Sequence, residues 1–326
     1  MRPALALALL AALAGCSVSE PPASPPPLQA TPQPELMKWP ALLERTRPEP
    51  DSTIAYGSDR MQKVDLWLPA GAGPHPTVLM VHGGCWQTEI ADRRIMNWIA
   101  DDLRKRGIAV WNIDYRGVDR AGGGYPGTFA DAAAAADSLR RHAALHKLKI
   151  SPLVAVGHSA GGHLALWLAA RRAVNRRPGP LIPHGSPLLA TDPLRIDTVV
   201  SLGGLPDLEL AATPPGSGCG TEIIEKLVGP PTLSSRNVYA DTSVPRLAPL
   251  GVRQVLINGL QDRIIPTFYA EDYASKMRSA GDKVKVRMID RTGHVELIAP
   301  ETAAWAATVE EIQAALNRHS GESRNP

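Results

Sequence analysis

A serine flanked by glycines, Ser159 in the run 157–161 (Gly-His-Ser-Ala-Gly), is the feature that most constrains how this chain folds. The apolar stretch 153–156 before it predicts a short buried strand, and the stretch 163–170 after it predicts a helix. Gly-x-Ser-x-Gly at a strand-to-helix turn is the pattern of a nucleophile elbow, in which the glycines let backbone pass close to a strained serine. We therefore expect the Ser159 hydroxyl to stand exposed beside a helix N-terminus, which favours anionic intermediates.

From residue 51 onward the chain alternates between short apolar runs of strand length and longer runs of helical character. This alternation predicts an α/β fold with a mostly parallel central sheet and helices on both faces, in which reactive groups gather beyond the carboxyl ends of the strands. We assign the catalytic domain to residues 46–318 and expect its irregular insertion, 206–250, and its loop, 174–195, to shape the pocket. The predicted strands cover 64–69, 77–81, 108–113, 153–156, 198–202, 253–258 and 284–289.

The N-terminal part of the chain has a different character. Residues 1–16 combine a short positive start with an apolar run that is too short to span a bilayer and that ends in Cys16. This ending resembles the lipobox of bacterial lipoproteins, which implies that Cys16 is acylated; an ordinary signal peptide that contains a cysteine is the alternative. Residues 17–45 are rich in proline and serine and predict an extended tether. Ser17 after the cysteine implies, by the same resemblance, a lipid anchor in the outer membrane, with the protein facing the periplasm.

Charge and spacing exclude other function classes. The 326 residues carry a formal net charge of +3, and no basic block interleaves with aromatic residues, so nucleic acid is not an expected partner. No convincing spacing for a zinc site or a phosphate-binding loop is present. The polar tail 319–326 is expected to be disordered.

Two cysteines remain within the predicted catalytic domain, Cys85 and Cys219. Both lie in predicted loops near the active-site face, and an exported compartment permits a disulfide between them. Two small buried residues are the alternative.

A serine hydroxyl needs a base that removes its proton and an acid that orients the base. In one known order of such triads the acid and then the histidine follow the serine along the chain. Asp262 and His294 each follow a predicted strand, so both lie at the sheet edge where Ser159 is expected. We predict Ser159 as nucleophile, His294 as base and Asp262 as acid. Asp207, after an earlier strand, is the alternative acid, and Asp290 is expected to be solvated.

Three further histidines are rivals for the role of base. His158 occupies the variable position of the elbow and should point away from the serine. His163 lies about one helical turn after the serine, where packing is the expected role. His82 precedes two glycines and is expected to fix a loop.

Hydrolysis through a serine also needs backbone donors that are aimed in advance at the oxyanion. One is the amide after the nucleophile, here Ala160, and the others come from a loop after an earlier strand. Gly83 and Gly84 fit that loop, with the Cys85 amide as a third candidate. Cys85 and Trp86 are the candidate pocket residues, although packing in the core is an equal alternative for Trp86.

With these residues in place, the chain resembles the α/β-hydrolase fold and, within it, the HGG-x-W esterases. The resemblance covers roughly residues 51–316 and depends on the runs His82–Trp86, 114–116, 125–126, 157–163 and 293–294. It implies a serine esterase that cleaves small carboxylic esters through an acyl-enzyme, with no metal or organic cofactor. A kynurenine-formamidase-like arylformamidase, or another amidase, is the alternative enzyme. A catalytically silent binding lipoprotein is the alternative of another class.

Overall fold

A computed structural model describes residues 35–176, 182–233 and 235–318. Within these residues, eight strands form one sheet in the order β1-β2-β4-β3-β5-β6-β7-β8. The first two strands are antiparallel to their neighbours, and the other six run parallel. This confirms the predicted mostly parallel sheet. The strands are β1 Ser52–Ala55, β2 Lys63–Trp67, β3 His75–Val81, β4 Ala109–Ile113, β5 Leu148–His158, β6 Thr198–Leu202, β7 Arg253–Gly259 and β8 Val284–Ile289.

Helices cover both faces of the sheet. They are α1 Trp39–Leu43, α2 Asn97–Lys105, α3 Gly127–Ala143, α4 Ala160–Arg176, α5 Leu208–Ala211, α6 Thr221–Val228, α7 Phe268–Ser279 and α8 Ala303–Asn317, with 3₁₀ turns at Arg93–Met96, Val244–Leu247 and Glu296–Ile298.

The central strands are apolar on both sides because each side meets a helical layer. In β3, Leu79 belongs to the core under α3, α4 and α7, whereas its neighbours Val78 and Met80 belong to the core under α2 and α8. Successive side chains of a strand point to opposite faces, so one strand supplies both cores. Because the parallel strands run in one direction, their carboxyl ends lie at the same edge of the sheet. There, β5, β7 and β8 lead into the loops of the predicted site residues.

The folded unit begins earlier than the sequence predicts. Residues 35–45, which the sequence places in the tether, contain α1 and belong to the same compact unit as the rest of the described chain. The reason is an apolar side chain: Leu42 is fully buried against the α2 and α8 layer. The predicted lipobox, with Cys16, and the predicted disordered tail, 319–326, lie outside the described residues. No helix in the described ranges has the length and apolar character needed to cross a bilayer.

The insertion 206–250 is more ordered than the sequence predicts. It contains two helices, α5 and α6, in a segment that the sequence predicts to be irregular. A disulfide between Cys85 and Cys219 ties it to the loop after β3. Of the two alternatives for these cysteines, the structure therefore has the disulfide.

Candidate active site

The predicted elbow lies between β5, which ends at His158, and α4, which begins at Ala160. Ser159 between them has a φ of +54°, a left-handed conformation that non-glycine residues seldom adopt. Neither flanking glycine has space for a side chain. A Cβ on Gly157 would lie 2.1 Å from the carbonyl oxygen of Gly161, and one on Gly161 would lie 2.2 Å from that of Val81. The Gly-x-Ser-x-Gly pattern thus reflects two close backbone approaches around one strained serine.

His294 and Asp262 form a buried pair beyond the ends of β8 and β7. His294 Nδ1 lies 2.6 Å from Asp262 Oδ2, and both residues are at most 6% exposed. The other carboxylate oxygen accepts the backbone N–H groups of Ile264 and Ile265, each at 2.9 Å. The carboxylate is therefore fixed from both sides, and Nδ1 of the imidazole is turned away from solvent.

Ser159 and His294 line the same cavity. Within the part of the chain that the structure describes, no hydrogen bond joins the serine hydroxyl to the imidazole. Hydrogen bonds between catalytic groups are often long in the absence of substrate and shorten in the reacting complex. The cavity thus brings the two groups to one place.

The alternative acids have other partners. Asp207 accepts a hydrogen bond from Ser243 at 3.0 Å, pairs with Lys276 at 2.7 Å and caps α5. Asp290 is exposed at the surface, as predicted, and accepts a hydrogen bond from the side chain of Gln261. Of the three carboxylates, the structure therefore brings only Asp262 to His294.

His158 is buried against the predicted base. Its Nε2–H donates to the backbone carbonyl of His294 at 3.2 Å, and the two rings are 4.5 Å apart. Burial, together with the neighbouring His294 imidazole, holds the pKa of His158 well below its usual range. The ring is therefore neutral at neutral pH and supports the loop that carries His294.

His163 has a packing role, as predicted. It is fully buried, it donates to the carbonyl of Thr242 at 2.8 Å, and burial lowers its pKa to about 4.

No group of three or more His, Cys, Asp or Glu side chains in residues 35–176, 182–233 and 235–318 could hold a metal ion.

The loop after β3 has an unusual backbone. Gly84, Cys85 and Trp86 have φ values of +107°, +50° and +53°, and the two non-glycine residues each cost roughly 1–2 kcal/mol in this left-handed conformation. A Cβ on Gly83 would lie 3.0 Å from the Cβ of Ser159, so the loop passes directly against the elbow. The predicted oxyanion residues are therefore adjacent to the predicted nucleophile.

His82 holds the start of this loop. Its Nδ1 lies 2.6 Å from the carbonyl oxygen of Gly83, and its Nε2 lies 2.9 Å from Asp114 Oδ1. The ring also stacks on Tyr115, whose hydroxyl donates to the His82 carbonyl at 2.9 Å. Its predicted loop-fixing role agrees with these contacts.

The shared cavity has a volume of about 270 Å³ and is mostly apolar. One predicted pocket residue, Cys85, lines it. Trp86 does not. Of its two alternatives, the structure has packing in the core: the side chain is fully buried, with its ring edge-on to His163. The indole at the cavity belongs instead to Trp39. The lining residues are Trp39, Leu43, Gly84, Cys85, Ile90, Ala91, Ile95, His158, Ser159, Gly218, Ile264 and His294.

Gly203, just after β6, is a site residue that sequence reasoning missed. A Cβ at this position would lie 2.7 Å from Leu297 and 3.2 Å from both Asp262 Oδ2 and His294 Nδ1. Its φ of +52° is also left-handed. The paired glycines directly after a predicted strand were the available signal, because such a pair permits close backbone approach.

The BD-FAE family model matches residues 64–277, well over half of the chain. The chain belongs to the BD-FAE family. The predicted resemblance to α/β-hydrolase esterases is thereby confirmed. The matched range contains Ser159 and Asp262 and ends before His294.

A rice protein is similar in sequence to this BD-FAE member. A probable isoprenylcysteine alpha-carbonyl methylesterase from Oryza sativa subsp. japonica is 23% identical over 279 residues, which are 83% of this chain and 65% of the rice protein. The chain thus spans somewhat less than two thirds of that relative.

Solved structures share the fold. Esterase B from Lactobacillus rhamnosis has a TM-score of 0.69 at 16% identity, covering 86% of this chain and 91% of that one. A truncated carbohydrate esterase from gut microbiota has a TM-score of 0.63 at 18% identity, covering 82% and 97%. Esterase 2 of Thermogutta terrifontis, phosphonylated by sarin, has a TM-score of 0.63 at 19% identity, covering 85% and 98%. The fold is therefore that of the α/β-hydrolases.

Proposed function

We propose that this protein is a serine hydrolase that cleaves small carboxylic esters through an acyl-enzyme. The observation that carries the proposal is the 2.6 Å contact between His294 and Asp262, at the cavity that also contains the strained Ser159. A histidine that a buried carboxylate orients, at the same cavity as a serine on a nucleophile elbow, is the arrangement that activates a serine.

In this mechanism the Ser159 oxygen attacks the ester carbonyl while His294 Nε2 takes the hydroxyl proton. Asp262 keeps the Nδ1 proton in place and stabilises the imidazolium that forms. His294 then gives the proton to the leaving alcohol, which leaves an acyl group on Ser159. Water, deprotonated by the same histidine, releases the acid and restores the serine.

The oxyanion of each tetrahedral intermediate is assigned to the amides of Ala160, Gly83 and Gly84. Ala160 is the first residue of α4, so its N–H has no partner within the helix. The positive end of this 17-residue helix also favours developing negative charge. The close approach of Gly83 to Ser159 supports the assignment of the Gly83 and Gly84 amides as oxyanion donors.

The cavity supports a small ester as substrate. At about 270 Å³, it lies just below the roughly 300–1,000 Å³ typical of pockets for drug-sized ligands. The similar proteins named above are a methylesterase and esterases, which favours an ester over the amide alternative.

We also propose that the protein is exported and anchored by a lipid on Cys16, at the outer membrane facing the periplasm. The predicted lipobox supports this, and so does the Cys85–Cys219 disulfide, since disulfides persist in oxidising compartments. Fractionation of cells expressing wild type and Cys16→Ser tests it. The variant should leave the membrane fraction, and a variant that stays there places the anchor elsewhere.

Labelling with a fluorophosphonate probe tests the enzymatic proposal. The wild type should be labelled, Ser159→Ala should not, and the wild type should hydrolyse p-nitrophenyl acetate faster than N-formylkynurenine. Preference for the formamide would favour the arylformamidase. Absence of labelling, with no turnover of either substrate, would favour a binding protein.

A further inference from the structure

The segment 35–47, here called the N-terminal strap, runs past the candidate active site. Leu42 anchors it in the core, where its side chain is fully buried. Its neighbours Trp39 and Leu43 line the cavity that contains Ser159. The strap lies outside residues 64–277, the range that the family model matches.

Side-chain contacts fasten the strap to the loop that carries the active-site histidine. One oxygen of the buried Glu296 carboxylate accepts the backbone N–H of Met37 at 2.5 Å, and the other accepts that of Gly293 at 3.0 Å. Farther along, Arg45 makes two hydrogen bonds to Glu301, at 2.5 and 3.0 Å. The strap is thus held at both ends by carboxylates that follow the histidine in sequence.

Trp39 stands edge-on to the active-site imidazole. Its ring centroid is 6.3 Å from that of His294 at an interplanar angle of 75°, and 6.4 Å from that of His158 at 70°. An indole at this position borders whatever part of a substrate lies next to His294. In the proposed mechanism that part is the alcohol, because His294 protonates the leaving oxygen.

We propose that the N-terminal strap is a substrate-binding element in which Trp39 and Leu43 limit the size of the ester's alcohol group. This inference rests on the proposed ester hydrolysis and adds to it a specificity-determining wall. Long alkyl alcohols meet the indole, and short ones fit between it and the nucleophile. The acyl group is placed away from the strap, on the side of the loop that carries the proposed oxyanion donors.

The test uses the full chain and two series of esters. Ethyl and hexyl acetate vary the alcohol at a constant acyl group, and ethyl acetate and ethyl hexanoate vary the acyl group at a constant alcohol. Trp39→Ala should raise the kcat/KM ratio of hexyl to ethyl acetate by about tenfold or more, since even one methylene in a pocket is worth roughly 10–200-fold. The ratio within the acyl series should stay unchanged. Leu43→Ala should act in the same direction and, being 41% exposed, it perturbs folding least.

Lys38→Ala is the matched control. Lys38 is an exposed strap residue that pairs with Glu35 and does not line the cavity, so both ratios should equal those of the wild type. Unchanged alcohol ratios in Trp39→Ala and Leu43→Ala would overturn the inference, and so would equal changes in the alcohol and acyl series. Fluorophosphonate titration of Ser159 separates this result from failure of the proposed function: a wild type that is neither labelled nor active refutes ester hydrolysis itself.

Discussion

Removal of the Cys85–Cys219 disulfide is expected to lower the free energy of unfolding by about 5 kcal/mol. The two cysteines are 134 residues apart in sequence. Cross-linking n residues removes about 2.1 + 1.5R ln n cal/mol/K of entropy from the unfolded chain, which for this loop is about 17 cal/mol/K, or about 5 kcal/mol at 25 °C. A domain of this size loses roughly 2 °C of Tm per kcal/mol, so Tm should fall by about 10 °C.

The same change should also reduce catalysis at temperatures where the protein stays folded. Cys85 belongs to the left-handed loop that carries the proposed oxyanion donors, here called the oxyanion loop, and the disulfide joins it to Cys219. The N–H of the adjacent Gly218 donates to the carbonyl of Ile264 at 2.7 Å, and the N–H of Ile264 donates to Asp262. Because this chain of contacts ties the oxyanion loop to the acid loop, its loss should lower kcat by about 10²-fold, the cost of roughly 1 Å of misplacement.

Thermal unfolding followed by circular dichroism, and ester hydrolysis at 25 °C, measure the two effects in wild type and in Cys85→Ala/Cys219→Ala. Alanine keeps the Cβ, so the left-handed strain at position 85 is the same in both proteins. Dithiothreitol should lower Tm and kcat of the wild type and leave the variant unaffected. The reasoning is refuted if the two proteins share one Tm, or if both domain cysteines of denatured, unreduced wild type react as free thiols.

Three further outcomes are expected. Asp262→Asn should fold normally by circular dichroism and lose about 10⁴-fold in kcat on p-nitrophenyl acetate; full activity would move the acid role to another carboxylate. Burial lowers the pKa of His163 from 6.5 to about 4, so the unfolded state binds more protons below pH 6.5. In urea titrations, His163 by itself should make the protein about 2 kcal/mol less stable at pH 5 than at pH 8. His163→Gln should remove that part of the pH dependence, and an unchanged slope would contradict it. Gly203→Ala should lower kcat about 10²-fold, because its Cβ would crowd the Asp262–His294 pair. Gly251→Ala is the control: it has a similar φ of +67° and open space around its Cβ, so it should share only the loss of stability. Equal kcat in the two variants would argue against crowding of the pair.

Local sequence was sufficient to predict much of the fold and to select the candidate site residues that the structure brings to one cavity. The strand pattern around Ser159, and the positions of Asp262 and His294 after strands, depend on neighbours within a few residues. Hydrophobic periodicity and glycine placement report such short-range features directly. The order of the strands then brings the ends of β5, β7 and β8 to one edge.

The local sequence does not show which tryptophan lines the cavity. Trp86 stands next to the oxyanion glycines in sequence, yet its side chain is fully buried in the core. Trp39 lies in a stretch whose composition resembles a linker, and it reaches the cavity only because Leu42 and Glu296 hold the strap against the domain. Composition describes a segment by itself, whereas packing depends on a partner far away in the chain.

The amino-acid sequence alone determined the α/β architecture, the strained serine and the order in which the proposed nucleophile, acid and base occur, because short patterns of apolar residues and glycines predict the strands and turns that carry them. Tertiary structure alone decided that Cys85 pairs with Cys219, that Gly203 borders the Asp262–His294 pair and that residue 39 forms a wall of the cavity. These are contacts between residues that the chain separates widely, and only the folded sheet sets their distances.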